Sequence, residues 1–150
     1  MTSSLDLLSE LAHKAQDAAA RTLAQHRQQL RQLAAQLKTL QQYQQEYRQG
    51  LQHKLHKEGM SPSGLANYRA FLTSLDTAMD RARASMAKQQ AEIDKCQLAW
   101  QAEWRKAHAY DTLLQRRAAQ LQLTAGRREQ RLDDELGARM RQQPGTFSRT

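Results

Sequence analysis

Apolar residues recur along this chain at alternating spacings of three and four positions over most of its length. That alternation places them on one face of an α-helix and is typical of a coiled-coil seam. A cluster of turn residues, Gly59-Met60-Ser61-Pro62-Ser63-Gly64, separates two such stretches. The pattern predicts helix 1 at about 4–58, a turn at 59–64 and helix 2 at about 65–136 in one domain of residues 1–142, followed by a disordered tail at 143–150.

Capping residues stand where the predicted helices begin. Thr2, Ser3 and Ser4 are N-cap types, because a short oxygen-bearing side chain can accept hydrogen bonds from the first free backbone N–H groups. Ser61 precedes Pro62, and proline is favoured at the first helical position. Ser61 is therefore expected to cap the second helix.

The spacing assigns a seam to each helix. In helix 1 the seam consists of Leu5, Leu8, Ala12, Ala15, Ala19, Leu23, His26, Leu30, Leu33, Leu37, Leu40, Gln44, Tyr47 and Leu51. In helix 2 it consists of Leu65, Tyr68, Leu72, Leu75, Met79, Ala82, Met86, Gln89, Ile93, Cys96, Trp100, Trp104, Ala107, Asp111, Leu114, Ala118 and Leu121. We therefore predict an all-α fold, a long two-helix antiparallel coiled-coil hairpin.

Folding the chain at the turn predicts a register for the two seams. Leu37 is placed opposite Met86, and His26 opposite Cys96. Both helices contain two consecutive spacings of four near one layer, where Trp104 would face Ala19. Large rings opposite small side chains would fill that layer without widening the seam.

This pairing leaves residues 119–142 without a partner in the chain. A lone helix of that length is marginal in water, so we expect the segment to fray in the free protein. Its leucines, among them Leu121 and Leu132, and Met140 need something to cover them. The sequence therefore predicts a partner-binding end.

Composition narrows the class of protein. The chain has 23 Ala, 22 Gln and 21 Leu but no Val, and residues that favour strands are scarce. Its apolar runs are too short for a transmembrane span or a secretory signal, so neither is expected. The single cysteine, Cys96, permits no internal disulfide and suits a reducing cytosol.

Side chains that could carry catalysis or bind a metal are sparse. No Gly-Lys-Ser or Gly-Lys-Thr motif is present to hold a phosphate. His53 and His56 are three apart but lack a third ligand at a matching spacing, and Cys96 opposite His26 is better explained by packing. We therefore predict no enzyme, no cofactor and no metal.

The formal charge of +8 raises nucleic acid as an alternative partner. The excess is spread evenly: residues 1–58 carry 8 basic and 5 acidic groups, 59–118 carry 9 and 6, and 119–150 carry 6 and 4. There is no basic block and no interleaved set of aromatic residues on which bases could stack. A protein partner is preferred, and a steep salt dependence of binding would distinguish the two alternatives.

Several segments in order resemble the flagellar FliJ family. They are residues 43–48 (YQQEYR), residues 67–72 (NYRAFL) after the turn, Trp100, Arg116, and residues 128–134 (REQRLDD). The resemblance implies a cytoplasmic, non-enzymatic component of the flagellar type III export apparatus. It also implies a coiled-coil stalk similar to that of the gamma subunit of rotary ATPases.

The partners implied by the resemblance are the ring of the export ATPase FliI with its regulator FliH, the cytoplasmic domain of the export gate protein FlhA, and export chaperones. The chain would promote assembly of the ring and lie at the cytoplasmic face of the inner membrane, as a monomer by itself and without nucleic acid. The corresponding stalk of a virulence injectisome is the alternative within the same class.

Two binding sites are predicted for this chain, and the first is carried over from family positions. The gate-binding site comprises Gln36, Leu40, Tyr43, Tyr47, Phe71, Leu75, Ala78 and Ala82, although a relative can carry histidine at the position of Ala82. The ATPase-binding site comprises Leu8, Leu11, Arg21, Arg117, Leu121, Arg128 and Arg131. Tyr43 and Phe71 lie one step off the seam, where they either extend the core over its edge or form a docking patch.

Overall fold

The computed structural model describes residues 3–142. Helix α1 spans Ser4–Lys57 and helix α2 spans Pro62–Gln142, and the described residues contain no strand. The two helices pack against each other along their seams, which confirms the all-α two-helix prediction. Thr2 and the predicted tail at 143–150 lie outside the described residues.

Helix α1 begins with a reciprocal capping arrangement. The Asp6 N–H donates to Ser3 Oγ at 3.2 Å, and the Ser3 N–H donates to Asp6 Oδ2 at 3.0 Å. Each side chain thereby satisfies a backbone donor that the first helical turn leaves free. The side-chain hydrogen bond from Ser3, followed by the backbone one, lowers the pKa of Asp6 below its usual value. Ser3 is therefore the cap among the candidate residues.

The connection between the helices is short and depends on three residues. Gly59 has a φ of +66°, a left-handed conformation that glycine adopts without steric cost. Ser61 Oγ accepts a hydrogen bond from the Gly64 N–H at 3.1 Å, and Pro62 occupies the first helical position. Because Ser61 caps at this point, α2 begins at Pro62 and includes residues that the turn pattern placed before the helix.

The chain divides into two compact units, each formed by parts of both helices. The terminal unit comprises Met1–His13 with Arg105–Thr150, and the turn unit comprises Lys14–Trp104. The most deeply buried side chains are Leu23, Leu75, Met79 and Ile93 in the turn unit, and Ser9, Ala12 and Ala107 in the terminal unit. All of them except Ser9 are predicted seam residues, so the buried face agrees with the periodicity at those positions. The predicted seam residue Leu8 is instead 45% exposed, beside the buried Ser9.

The register within the turn unit differs from the predicted one. Gln89 Nε2 donates to the backbone oxygen of His26 at 3.0 Å, and the Tyr47 and Phe71 ring centroids are 4.3 Å apart. The prediction that Cys96 lies opposite His26 is therefore wrong, since the facing residue of α2 lies nearer the turn. An apolar seam that repeats every 3.5 residues permits several registers, and polar and aromatic contacts select among them.

Engineered disulfides would test this register. The contacts on either side of Leu37, His26 with Gln89 and Tyr47 with Tyr68, place it opposite Met79 rather than Met86. In a Cys96→Ser background, we expect the Leu37→Cys/Met79→Cys protein to form its internal disulfide faster than the Leu37→Cys/Met86→Cys protein, because a disulfide requires close Cβ atoms. Non-reducing gel electrophoresis during mild oxidation measures both rates. Faster closure of the second pair would restore the register expected from the sequence.

The predicted position of Trp104 in the seam is also wrong. Trp104 is 44% exposed, whereas Glu103 is half-buried and Ala107 is nearly inaccessible. Trp104 follows Cys96 by two steps of four residues, which turns its side chain about 80° around the helix relative to Cys96. A step of four followed by a step of three would return a side chain almost to the same face. The seam therefore continues from the half-buried Trp100 to Glu103 and Ala107.

Candidate binding surfaces

A polar cluster in the terminal unit joins the two helices. The Asp111 carboxylate accepts a hydrogen bond from Ser9 Oγ at 3.1 Å, and His13 Nε2 lies 2.9 Å from each of its oxygens. The hydrogen bond from His13 is the main cause that holds the pKa of Asp111 below its ordinary value. The cluster holds the start of α1 against α2. Sequence reasoning missed Ser9 and His13, because neither residue falls on the apolar period.

A second polar cluster lies in the turn unit. Besides the His26 backbone oxygen, Gln89 Nε2 contacts His26 Nδ1 at 2.7 Å and Gln29 Oε1 at 3.0 Å. His26 is therefore bound to Gln89 and does not form the thiol–imidazole arrangement with Cys96 that the predicted register suggested. Among residues 3–142, no three His, Cys, Asp or Glu side chains are placed to hold a metal ion.

Beyond Leu114, α2 presents its side chains to solvent. We call residues 119–142 the overhang: the segment is helical throughout, and apart from Gly137 all of its residues are exposed. Leu121 is 63% exposed and Met140 is 79% exposed, and Leu132 and Leu136 are similar. The overhang is thus an exposed apolar stripe on a helix, as expected for a segment without a partner in the chain.

The predicted ATPase-binding residues are all exposed, but they fall in both units. Leu8, Leu11, Arg117, Leu121, Arg128 and Arg131 belong to the terminal unit. Arg21 belongs to the turn unit. Six of the seven predicted residues thus belong to the unit that contains the overhang, and their role in binding remains a prediction.

Aromatic side chains form a patch in the turn unit. The Tyr47 ring centroid lies 4.3 Å from that of Phe71 and 6.1 Å from that of Tyr68, and Lys54 Nζ lies 5.5 Å from the centre of the Tyr68 ring. Tyr47 and Phe71 each keep a large exposed fraction, and Tyr43 is 49% exposed. We call Tyr43, Tyr47, Tyr68 and Phe71 the aromatic patch. It combines apolar faces with hydroxyl groups, a composition common in protein interfaces.

The other predicted gate-binding residues differ in accessibility. Leu75 is buried, Gln36 is exposed, and Leu40, Ala78 and Ala82 are half-buried. Leu75 can therefore shape the surface only by packing beneath it. The sequence-based set omitted Tyr68 and Lys54, because it was carried over from family positions and nothing in the local pattern of α1 shows that Lys54 reaches the Tyr68 ring.

In the described part of the chain, no helix has both the length and the apolar character needed to cross a membrane.

These features define a helical hairpin with an exposed apolar overhang and an exposed aromatic patch. Its sequence matches the family model of the flagellar FliJ protein over residues 1–146. The flagellar FliJ protein of Salmonella typhi is 31% identical over 135 residues, which cover 90% of this chain and 91% of that protein. The flagellar FliJ protein of Escherichia coli strain K12 is 30% identical over 135 residues, with the same coverage. The chain therefore belongs to the flagellar FliJ protein family.

Proposed function

We propose that this chain is a non-enzymatic component of the flagellar type III export apparatus that binds the export ATPase ring and couples it to the export gate. The family match supports a flagellar role and favours it over the injectisome alternative. The single observation that carries the binding proposal is the overhang, whose apolar stripe is exposed although α2 remains helical. A helix that exposes such a stripe requires a partner.

The overhang is the proposed contact with the export ATPase FliI. Leu121 and Leu132 supply apolar contacts, and Arg128 and Arg131 supply cations for acidic positions in the ring. An amphipathic helix that enters a central opening would act as a stalk and would favour assembly of the ring around it. The regulator FliH would act on the same ATPase.

The aromatic patch is the proposed contact with the cytoplasmic domain of the export gate protein FlhA. Tyr47 and Phe71 are already held against each other, so their exposed faces lose little conformational freedom on binding. Contact with the gate would bring the chain to the cytoplasmic face of the inner membrane as a peripheral component. There it would also meet the export chaperones that it escorts.

The variant Tyr43→Ala separates gate binding from folding. Tyr43 is half exposed, so its loss should leave helicity and the melting temperature nearly unchanged. An aromatic side chain at the centre of an interface commonly contributes more than 1 kcal/mol, so affinity for the FlhA cytoplasmic domain should fall on the order of tenfold. Isothermal titration calorimetry measures the affinity, and circular dichroism measures the stability.

The matched control is Leu55→Ala, another exposed apolar side chain of α1 outside the patch. It should bind the gate domain as the unaltered protein does. Equal affinity of the Tyr43→Ala and Leu55→Ala proteins would count against the aromatic patch as the gate contact. A large loss of stability in the Tyr43→Ala protein would instead assign the tyrosine to the core.

A further inference from the structure

A shallow groove opens on the aromatic patch. Its volume is about 290 Å³, and it is lined by Tyr47 from α1 and by Asn67, Tyr68 and Phe71 from α2. The Tyr47 ring is tilted by 35° against Phe71 and by 57° against Tyr68, so the three rings border a recess instead of stacking flat. The volume lies just below the roughly 300–1,000 Å³ typical of ligand pockets, so the groove suits one inserted side chain.

Asn67 is the polar residue of this groove, and folding does not account for it. It is the only asparagine in a chain that has 22 glutamines. Ser61 already caps α2, so Asn67 does not serve as a cap. Its side chain is exposed, and asparagine is a poorer helix former than glutamine or alanine. Within residues 3–142 its amide group forms no hydrogen bond, so the fold itself gives no reason for an asparagine at this position.

The amide group of Asn67 is chemically complementary to a main-chain peptide group. It carries both donors and an acceptor, and a peptide group offers one acceptor and one donor in return. Asn67 lies one helical turn before Phe71, so its amide and the Phe71 ring lie on the same side of α2. A partner segment whose apolar side chain enters among the rings would therefore pass its main chain close to this amide. A peptide group buried in such a contact needs a hydrogen-bond partner.

We propose that Asn67 determines the specificity of the gate contact: its amide hydrogen-bonds a main-chain peptide group of an FlhA segment that inserts an apolar side chain between the rings of the groove. This inference rests on the proposed function and deepens it, since Asn67 is absent from the predicted gate-binding site. The rings supply apolar contact area, and the amide fixes how the segment is aligned along the groove. Any other alignment leaves polar groups unpaired in the contact, which is unfavourable.

Two substitutions separate this hydrogen bond from folding and from apolar contact. Alanine and leucine both favour a helix more than asparagine does, so neither Asn67→Ala nor Asn67→Leu should lower the melting temperature measured by circular dichroism. Both proteins should bind the FlhA cytoplasmic domain on the order of tenfold more weakly in titration calorimetry, because the peptide group of the partner loses its hydrogen bond. If the groove needed apolar area alone, the Asn67→Leu protein would bind at least as tightly as the unaltered one.

The single asparagine also permits a direct observation of the contact. In full-length protein that is isotopically labelled at asparagine nitrogen alone, the side-chain NH₂ group of Asn67 gives one pair of nuclear magnetic resonance signals. The pair is assigned by its loss in the Asn67→Leu protein. Saturation with the unlabelled FlhA cytoplasmic domain should shift this pair, because the amide then donates to a new acceptor.

The control is Gln97→Ala, which removes an exposed amide of α2 outside the groove. It should bind the gate domain as the unaltered protein does. The assignment of Asn67 is overturned by unchanged affinity of both variants, by full affinity of the Asn67→Leu protein, or by side-chain signals that do not move at saturation. The Tyr43→Ala protein decides separately on the gate contact. A loss of affinity there with none at Asn67 leaves the proposed function intact, whereas no effect at either residue refutes the gate contact itself.

Discussion

Truncation after Ala118 is expected to abolish stimulation of the export ATPase while the remaining hairpin stays folded. The deletion removes the overhang, whose leucines and arginines are the proposed contacts with the ring. It leaves the most deeply buried side chains of both units in place, as well as the polar cluster of Ser9, His13 and Asp111. ATP hydrolysis measured with and without the truncated protein gives the primary result, and circular dichroism of that protein checks folding.

A full-length variant tests the same contact with the ATPase without shortening the chain. Leu121→Gln/Leu132→Gln keeps the helix length and the charge but removes two exposed apolar contacts, so stimulation should fall strongly without loss of the hairpin. Gate-domain binding should remain unchanged in both altered proteins, because the aromatic patch belongs to the turn unit. Full stimulation of the ATPase by the truncated protein would show that the overhang is not its contact.

Hydrogen exchange extends this prediction to the ordering of the overhang. In dilute free protein, residues 119–142 should exchange faster than residues 72–100, since an exposed helix without tertiary packing opens readily. The same amides should become protected when the ATPase ring surrounds them. Exchange equally slow in both segments of the free protein would contradict the idea that a partner orders the overhang.

Of the substitutions proposed for testing, Ile93→Ala is expected to lower the free energy of unfolding the most. Ile93 is only 4% exposed in a thin seam, and truncation of a buried isoleucine to alanine costs about 2–5 kcal/mol. That is a large fraction of the roughly 5–15 kcal/mol by which ordinary domains are stable. Urea denaturation followed by circular dichroism should show a clearly lower midpoint.

The matched control is Leu98→Ala on the same helix. Leu98 is 69% exposed, so its truncation should change the free energy of unfolding by no more than about 0.5 kcal/mol. Similar losses in the two variants would show that Ile93 does not lie in the seam. An unchanged midpoint for Ile93→Ala would mean that the turn unit is not held together by its predicted core.

The contrast between Ile93 and Leu98 could be predicted from the sequence, because helical periodicity is a local property. A side chain lies on the seam face if its spacing from its neighbours repeats that of the helix. The same argument correctly placed Leu23 and Met79, and the capping chemistry of Ser61 is equally local. The exposure of the overhang could also be predicted, because helix 2 is longer than helix 1 and its last residues therefore have no partner in the chain.

The two surfaces proposed for binding were predictable to different degrees. Accessibility of Tyr43 and Phe71 followed from their positions one step off the seam. The contact of Tyr47 with Phe71, and the inclusion of Tyr68 in the patch, depend on which residues of α2 face α1. A single-helix pattern contains no information on that pairing.

Register and side-chain partners were decided only by the tertiary structure. A seam that repeats every 3.5 residues is nearly equally apolar in several alignments, so small polar and aromatic contacts determine which alignment is most stable. The bond from Gln89 to the His26 backbone and the contacts of Asp111 with Ser9 and His13 are of this kind. Periodicity thus established which face of each helix is buried, while the alignment of the two faces depends on contacts between residues distant in the chain.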